Sequence, residues 1–221
     1  MSLAERLNAI RSEMAQACVL SGRNPKEVHL LAVSKLQPAS LIEETYDLGI
    51  RDFGENYVQE LIKKRQALSH LKEIRWHLIG PLQSNKSKQA VENADYFHAL
   101  DSLKLANELS KRCETSRKRL PVFIQVNIDD EPTKSGVSIA LLEDIVQQVV
   151  TLPNLELKGL MCIPEQKPDM RSAFRKMRDL AKTRQLELSM GMSDDFDQAI
   201  AEGANWIRVG TKLFGKRQVL S

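Results

Sequence analysis

The octapeptide VHLLAVSK, residues 28–35, decides the fold. It is too continuously apolar for a half-exposed strand and too short for most helices, so it reads as a strand covered on both faces, which points to a parallel sheet. Before it, Leu3, Leu7, Ile10, Met14 and Cys18 recur at helical spacing, Ser2 and Glu5 form an S-x-x-E capping box, and Gly22 offers a stop. After it, Pro38 sits where a first helical turn tolerates it, Leu41, Ile42, Thr45 and Leu48 share one side, and Gly49 closes the helix.

The alternation then continues along the chain. Strands are expected at IRDFGE (50–55), IRWHLIG (74–80), DYFHAL (95–100), PVFIQVNI (121–128), LELKGLMCI (155–163), LELSMG (186–191) and NWIRVG (205–210). Helices fill the intervals: 56–68, a polar one from Ser84, 102–113, 138–150, one with Met170, Phe174, Met177 and Ala181 in register, and 194–202. With residues 28–35 the strands number eight, and eight successive right-handed β-α units close naturally into a barrel. The expected fold is therefore a single (β/α)8 TIM barrel spanning residues 1–221 with an additional N-terminal helix; an open doubly wound sheet is the alternative. The one long connection is 129–137, and no Pro, Gly or Ser linker divides the chain.

Composition excludes other classes. With 42% hydrophobic and 28% charged residues the chain is an ordinary globular mixture, not collagen, disorder or low complexity. A net charge of +3 spread along the chain is not the one-sided balance of nucleic-acid or membrane-surface proteins. The runs at 63–65 and 117–119 carry no interleaved aromatic residues and read as solvated helix ends, so no nucleic-acid partner is expected. Cys18, Cys113 and Cys162 are far apart and fit a reducing cytosol better than a disulfide framework or a zinc cluster. Charges inside the first apolar stretch exclude a signal-peptide core, and no apolar run approaches a membrane span, so a cytoplasmic protein without membrane partners is expected.

In a β/α barrel the chemistry sits at the C-terminal ends of the strands. Lys35 ends the first strand there. A lysine is almost wholly protonated at neutral pH, but an apolar strand mouth with a second fixed cation destabilises the ammonium, and Arg208, across the closing seam, supplies such a cation. Together they describe an imine-forming lysine. The turns Gly191-Met192-Ser193 and Gly210-Thr211-Lys212 follow strands seven and eight, where such barrels commonly hold a phosphate with backbone N–H groups and hydroxyls. The competing reading is that Ser193 only caps a helix and Gly210 only permits a turn. Asp194 and Asp195 must point away if a phosphate sits there. His77, beside Trp76, reads as a half-buried histidine satisfied by a backbone carbonyl, and His29, His70 and His98 lack partners at metal-ligand spacing.

These residues match a known family. Segments LLAVSK (30–35), FGENYVQEL (53–61), WHLIGPLQSNK (76–86), KSGV (134–137), GLMCIP (159–164), LSMGMS (188–193) and IRVGTKLFG (207–215) resemble the pyridoxal 5′-phosphate homeostasis proteins, relatives of the N-terminal barrel of alanine racemase. The resemblance implies that Lys35 holds pyridoxal 5′-phosphate as an internal aldimine, that Asn56 lies beside the ring's phenolic oxygen, and that Arg208 faces the pyridine nitrogen. Ser193, Gly210 and Thr211 would hold the phosphate, with Met192 beside them. Leu36, Gln37 and Ala99 depart from the family's usual threonine, basic residue and serine. The function implied is a protein that carries or buffers the cofactor in vitamin B6 and amino-acid homeostasis, with pyridoxal-phosphate-dependent apoenzymes as partners. The alternative is a weak racemase or decarboxylase. A racemase would pair through a further domain for which this chain has no residues left, so a monomer is expected.

Overall fold

The Ser2–Glu5 capping box is closed in both directions at the head of α1 (Leu3–Leu20), and Gly22, at φ +65°, turns the chain just beyond the helix. The structure, a computed structural model, describes residues 1–131 and 134–215. Strand and helix then alternate: β1 (His29–Val33), α2 (Ala39–Asp47), β2 (Asp52–Glu55), α3 (Val58–Ala67), β3 (Arg75–Leu78), α4 (Ser87–Asn93), β4 (Tyr96–Leu100) and α5 (Leu103–Thr115). The second half comprises β5 (Leu120–Gln125), α6 (Ile139–Val150), β6 (Leu155–Met161), α7 (Arg171–Lys182), β7 (Glu187–Ser189), α8 (Phe196–Ala201), β8 (Trp206–Val209) and the single turn α9 (Thr211–Phe214). All eight strands are parallel and close in chain order, β1 pairing with β8, so the architecture is a (β/α)8 barrel and the open sheet is excluded. The strands are shorter than their apolar runs because the residues beyond the ladder still pack beneath the helices; Ile79, Val126 and Cys162 are buried outside any strand. Of the connection 129–137, Pro132 and Thr133 lie outside the described residues.

The additional N-terminal helix has a structural task. The element after β8 is too short to cover β8 and β1, and α1 packs against α8 and α9 instead. Leu3, Leu7, Ile10 and Cys18 face the core. Arg6 Nε donates to Leu213 O at 2.6 Å, and Lys212 pairs with Glu13, tying α1 to the last described turn.

Side-chain parity along the strands decides what stands inside the barrel. Partners in the parallel ladder share a face, and the register Leu31↔Arg208, Val33↔Gly54, Gly54↔His77 and His77↔Tyr96 puts these residues on the inner one. The interior is aromatic and polar where many β/α barrels are filled with branched aliphatics. His77 stacks on Tyr96 with ring centroids 4.4 Å apart, His98 stacks on Phe123 at 4.2 Å, and Trp206 touches both histidines. The outer parity, with Phe53, Trp76, Phe97 and Ile207, is buried against the helices. Gly159 in β6 permits the close approach of β7: a Cβ there would stand 2.1 Å from Glu187 O and 2.7 Å from the Phe123 ring.

Candidate functional site

Following the inner parity in steps of two beyond the strand ends leads from Leu31 and Val33 to Lys35, from Asp52 and Gly54 to Asn56, and from Trp206 and Arg208 to Gly210. These side chains meet at the C-terminal mouth in a cavity of about 520 Å³, within the ordinary size range of small-molecule sites. Lys35, Asn56, Met192, Ser193, Arg208, Gly210 and Thr211 all line it.

Lys35 stands in a turn that is held from behind. Ser34, at the outer parity, donates its hydroxyl to Glu55 Oε1 at 2.5 Å, and Leu36, in the left-handed region at φ +61°, donates its N–H to Glu60 Oε1 at 2.6 Å. Lys64 reaches in from α3 and donates to Ser34 O at 2.7 Å, Glu55 Oε1 at 2.9 Å and Glu60 Oε1 at 2.7 Å. Lys64 is therefore a buried cation and not the solvated helix end expected from the run at 63–65. Lys118, in the second run, is half-buried: its ammonium donates to Val91 O and Ala94 O, and burial lowers its pKa. In both cases the long aliphatic stem lets the ammonium reach internal acceptors that a run of charges does not disclose. Burial pushes the Glu55 carboxyl above its ordinary value, the pull of Lys64 notwithstanding, and its Oε2 has no hydrogen-bond partner.

Arg208 closes the cavity from below and is 4% exposed. Its Nη1 donates to Ser189 Oγ at 2.9 Å and its Nη2 to Cys162 O at 2.8 Å, so two N–H groups are committed to the barrel wall. Burial lowers its pKa from the ordinary value, but a guanidinium stays protonated in proteins.

The loops after β7 and β8 touch: the Lys212 N–H donates to Ser193 Oγ at 3.3 Å. Ser193 is not the helix cap. That position falls to Asp195, because α8 begins at Phe196 and not at Asp194 as expected. The Asp195 carboxylate accepts from Met192 N at 2.5 Å and from Gln166 Nε2 at 3.0 Å, which turns it into the loop, while Asp194 is exposed and lines the cavity. Gly210 lies against β1: a Cβ there would come within 3.3 Å of Val33 O, close enough that the strand would have to give by a few tenths of an ångström.

His77 differs from its expected setting. It is fully buried, with Asp52 Oδ1 at 3.0 Å from Nε2 and His98 Nε2 at 2.9 Å from Nδ1, and no backbone carbonyl completes it. The signal was available in the sequence, since Asp52, His77 and His98 all fall at the inner parity of apolar strands.

Gln125, Asn127, Lys134 and Gln166, none of which the sequence assigned to the site, line the opposite wall. Gln125 donates to Ser135 O and Asn127 exchanges hydrogen bonds with Glu131, shaping the loop that carries Lys134. Lys134 pairs with Glu131 at 2.7 Å and Asp129 at 3.3 Å, and the hydrogen bond from Glu131, joined by that from Asp129, raises its pKa. Among the described residues the cavity lining contains no tyrosine and no histidine. Among the described residues no group of three or more His, Cys, Asp or Glu could hold a metal ion, and no helix is long and apolar enough to cross a membrane.

Residues 6–218 match the family described as alanine racemase, N-terminal domain. The pyridoxal phosphate homeostasis protein of Pseudomonas aeruginosa is 42% identical, the match covering 98% of this chain and 96% of that protein. The solved structure of PipY from Synechococcus elongatus with pyridoxal phosphate bound superimposes with a TM-score of 0.84 at 38% identity, covering 97% of this chain and all of that one. An alanine racemase from Clostridium difficile shares the fold, with a TM-score of 0.75 at 12% identity over 56% of its length. The full-length relatives are named for homeostasis and not for a reaction. By its sequence over nearly the whole chain and by its closed barrel, this protein belongs to the pyridoxal phosphate homeostasis family, within the alanine racemase N-terminal domain group.

Proposed function

We propose that the cavity holds pyridoxal 5′-phosphate on Lys35 and that the protein carries or buffers this cofactor in the cytoplasm, with free cofactor and pyridoxal-phosphate-dependent apoenzymes as its partners in vitamin B6 and amino-acid homeostasis. The observation that carries the reading is the β1–β8 seam, which brings Lys35 and Arg208 into one cavity directly beside the paired loops of Ser193 and Lys212. The donor set fits the molecule, and the one carboxylate among the described lining residues, the exposed Asp194, has room to turn to solvent when a phosphate is held. Lys35 offers an amine for the aldehyde, Asn56 an amide for the phenolic oxygen, Arg208 further N–H groups for the ring nitrogen, and Ser193, Gly210 and Thr211 hydroxyls and a backbone approach for the phosphate, with Met192 beside them. When bound, the cofactor supplies an aldehyde that condenses with a primary amine. The chain's part is to hold that amine in a fixed turn, to exclude bulk water with Val33 and Ile79, and to present donors to the two anionic ends.

The phosphate assignment is tested separately. A hydrogen bond to a charged group contributes about 1.5–3 kcal/mol, so Ser193→Ala or Thr211→Ala is expected to weaken pyridoxal phosphate binding about tenfold or more in an absorbance titration. Unchanged affinity in both, with the fold retained, would place the phosphate elsewhere.

The alternative, a weak racemase or decarboxylase, is distinguished by exchange at the amino-acid α-carbon. Strong carbanion chemistry on this cofactor needs a protonated ring nitrogen, and the guanidinium of Arg208 can only donate there, which favours the unprotonated form. A second acid-base group is needed as well. Tyr96 is stacked on His77 within the barrel, Tyr46 contacts Arg51 and Glu73, and Tyr57, exposed at the start of α3, is absent from the lining. Deuterium incorporation into alanine is therefore expected below about 0.01 per second, at least a hundredfold under ordinary turnover. A rate in the ordinary range would make the protein an enzyme and not a carrier.

A further inference from the structure

Arg208 is the upper end of a hydrogen-bonded chain that descends through the barrel interior. Arg208 Nη1 lies 2.9 Å from Ser189 Oγ, Ser189 Oγ 3.0 Å from His98 Nδ1, His98 Nε2 2.9 Å from His77 Nδ1, and His77 Nε2 3.0 Å from Asp52 Oδ1. At the far end Arg75, half-exposed at the N-terminal rim, grips the same Asp52 with Nε and Nη2, each at 2.6 Å. Five strands contribute, and of the whole chain only Arg208 touches the cavity.

The chemistry of the two ends fixes every proton between them. Burial alone would raise the Asp52 carboxyl, but hydrogen bonds from Arg75 and His77 outweigh it and hold it at about 2, so it is a carboxylate that only accepts. His77 Nε2 must then carry a hydrogen. Burial keeps both imidazoles neutral, so His77 Nδ1 is an acceptor, His98 donates to it from Nε2, and His98 Nδ1 is an acceptor in turn. Ser189 meets it with its O–H and leaves its oxygen to the guanidinium, which can only donate. The donors therefore point one way, from Arg208 down to Asp52, with no proton in conflict and every bond polarising the next.

We propose that Ser189, His98, His77 and Asp52 are positioning residues for Arg208: their one-way chain, anchored at the opposite end of the barrel, sets the orientation in which the guanidinium meets the ring nitrogen of the cofactor. This rests on the pyridoxal phosphate reading for the ligand, but the chain itself is testable without one. Side-chain nitrogen NMR of the ligand-free protein at neutral pH is expected to show His77 and His98 both neutral and both protonated on Nε2. A proton on Nδ1 of either overturns the one-way chain.

The coupling is read by a double-mutant cycle on pyridoxal phosphate affinity. Asp52→Asn, remote from the cavity, is expected to weaken binding about fivefold in the parent and less than twofold in a Ser189→Ala background, where the chain is already cut. Ser189→Thr, which restores the hydroxyl, should restore the coupling. An equal factor in both backgrounds, or none in the parent, overturns the proposal, and His98→Asn replaces Ser189→Ala should that variant fail to fold. If the parent itself binds no pyridoxal phosphate, the functional reading fails and the NMR result alone decides the chain.

Discussion

Lys35→Ala is expected to abolish the borohydride-stable adduct with pyridoxal phosphate and to weaken the remaining non-covalent binding about a hundredfold, or ~3 kcal/mol. The effect should be all-or-none in the trapped mass because the cavity's other amine is a poor substitute. Lys134 lines the opposite wall, but Glu131 and Asp129 hydrogen-bond its ammonium and raise its pKa, which leaves little free amine to attack an aldehyde. The fold should survive, since Lys35 sits in a half-exposed turn whose conformation is set by Ser34, Leu36 and their partners on β2 and α3. A Lys35→Ala protein that retains the adduct would sink the assignment of the attachment point.

The second large effect concerns the support under that turn. Lys64→Met keeps much of the side-chain volume but strips Glu55, fully buried beneath Ser34, of the cation paired with it, and removing one partner of a buried pair costs about 3–5 kcal/mol. The pH dependence has a definite sign. The Glu55 carboxyl already lies above its ordinary value through burial, and losing Lys64 drives it higher still, so the folded variant retains a proton that the unfolded chain releases above about pH 4.5. The loss of stability in urea should therefore grow as pH rises from about 4.5 towards the raised folded value, and shrink again in acid. Adding Glu55→Gln should return most of the lost stability at neutral pH, because a neutral amide needs no counter-charge. A Lys64→Met protein within ~1 kcal/mol of the parent at neutral pH would show that the Lys64–Glu55 pair does not support the Lys35 turn.

The barrel was legible because eight short, nearly unbroken apolar runs alternate with helical spacing, and a parallel sheet covered on both faces writes that pattern directly. The placing of Lys35 and Arg208 in one cavity was legible too, since closure of eight units puts the last strand beside the first. What lay hidden depended on single side chains. Lys64 sits in a run of three cations of which only it faces the sheet, so charge alone could not mark it as buried. The helix after β7 starts two residues late: the chain first turns through 193–195, and Asp195 stands at the N-cap with its carboxylate turned back to Met192 N and not onto the helix's own N–H groups. His77 and His98 lie 21 residues apart and meet only because β3 and β4 pair in the register His77↔Tyr96, which no local pattern specifies. Strand parity would have flagged them, had polar residues inside apolar runs been counted by face.

The most direct test of the central claim is to incubate the unaltered protein with pyridoxal phosphate, reduce with borohydride, and map the modified peptide by mass. A single adduct on Lys35 is the expected result. An adduct confined to Lys134 or to any other lysine, or no adduct under conditions where the cofactor's visible band appears, would contradict the account of the β1–β8 seam as the place where the cofactor is held.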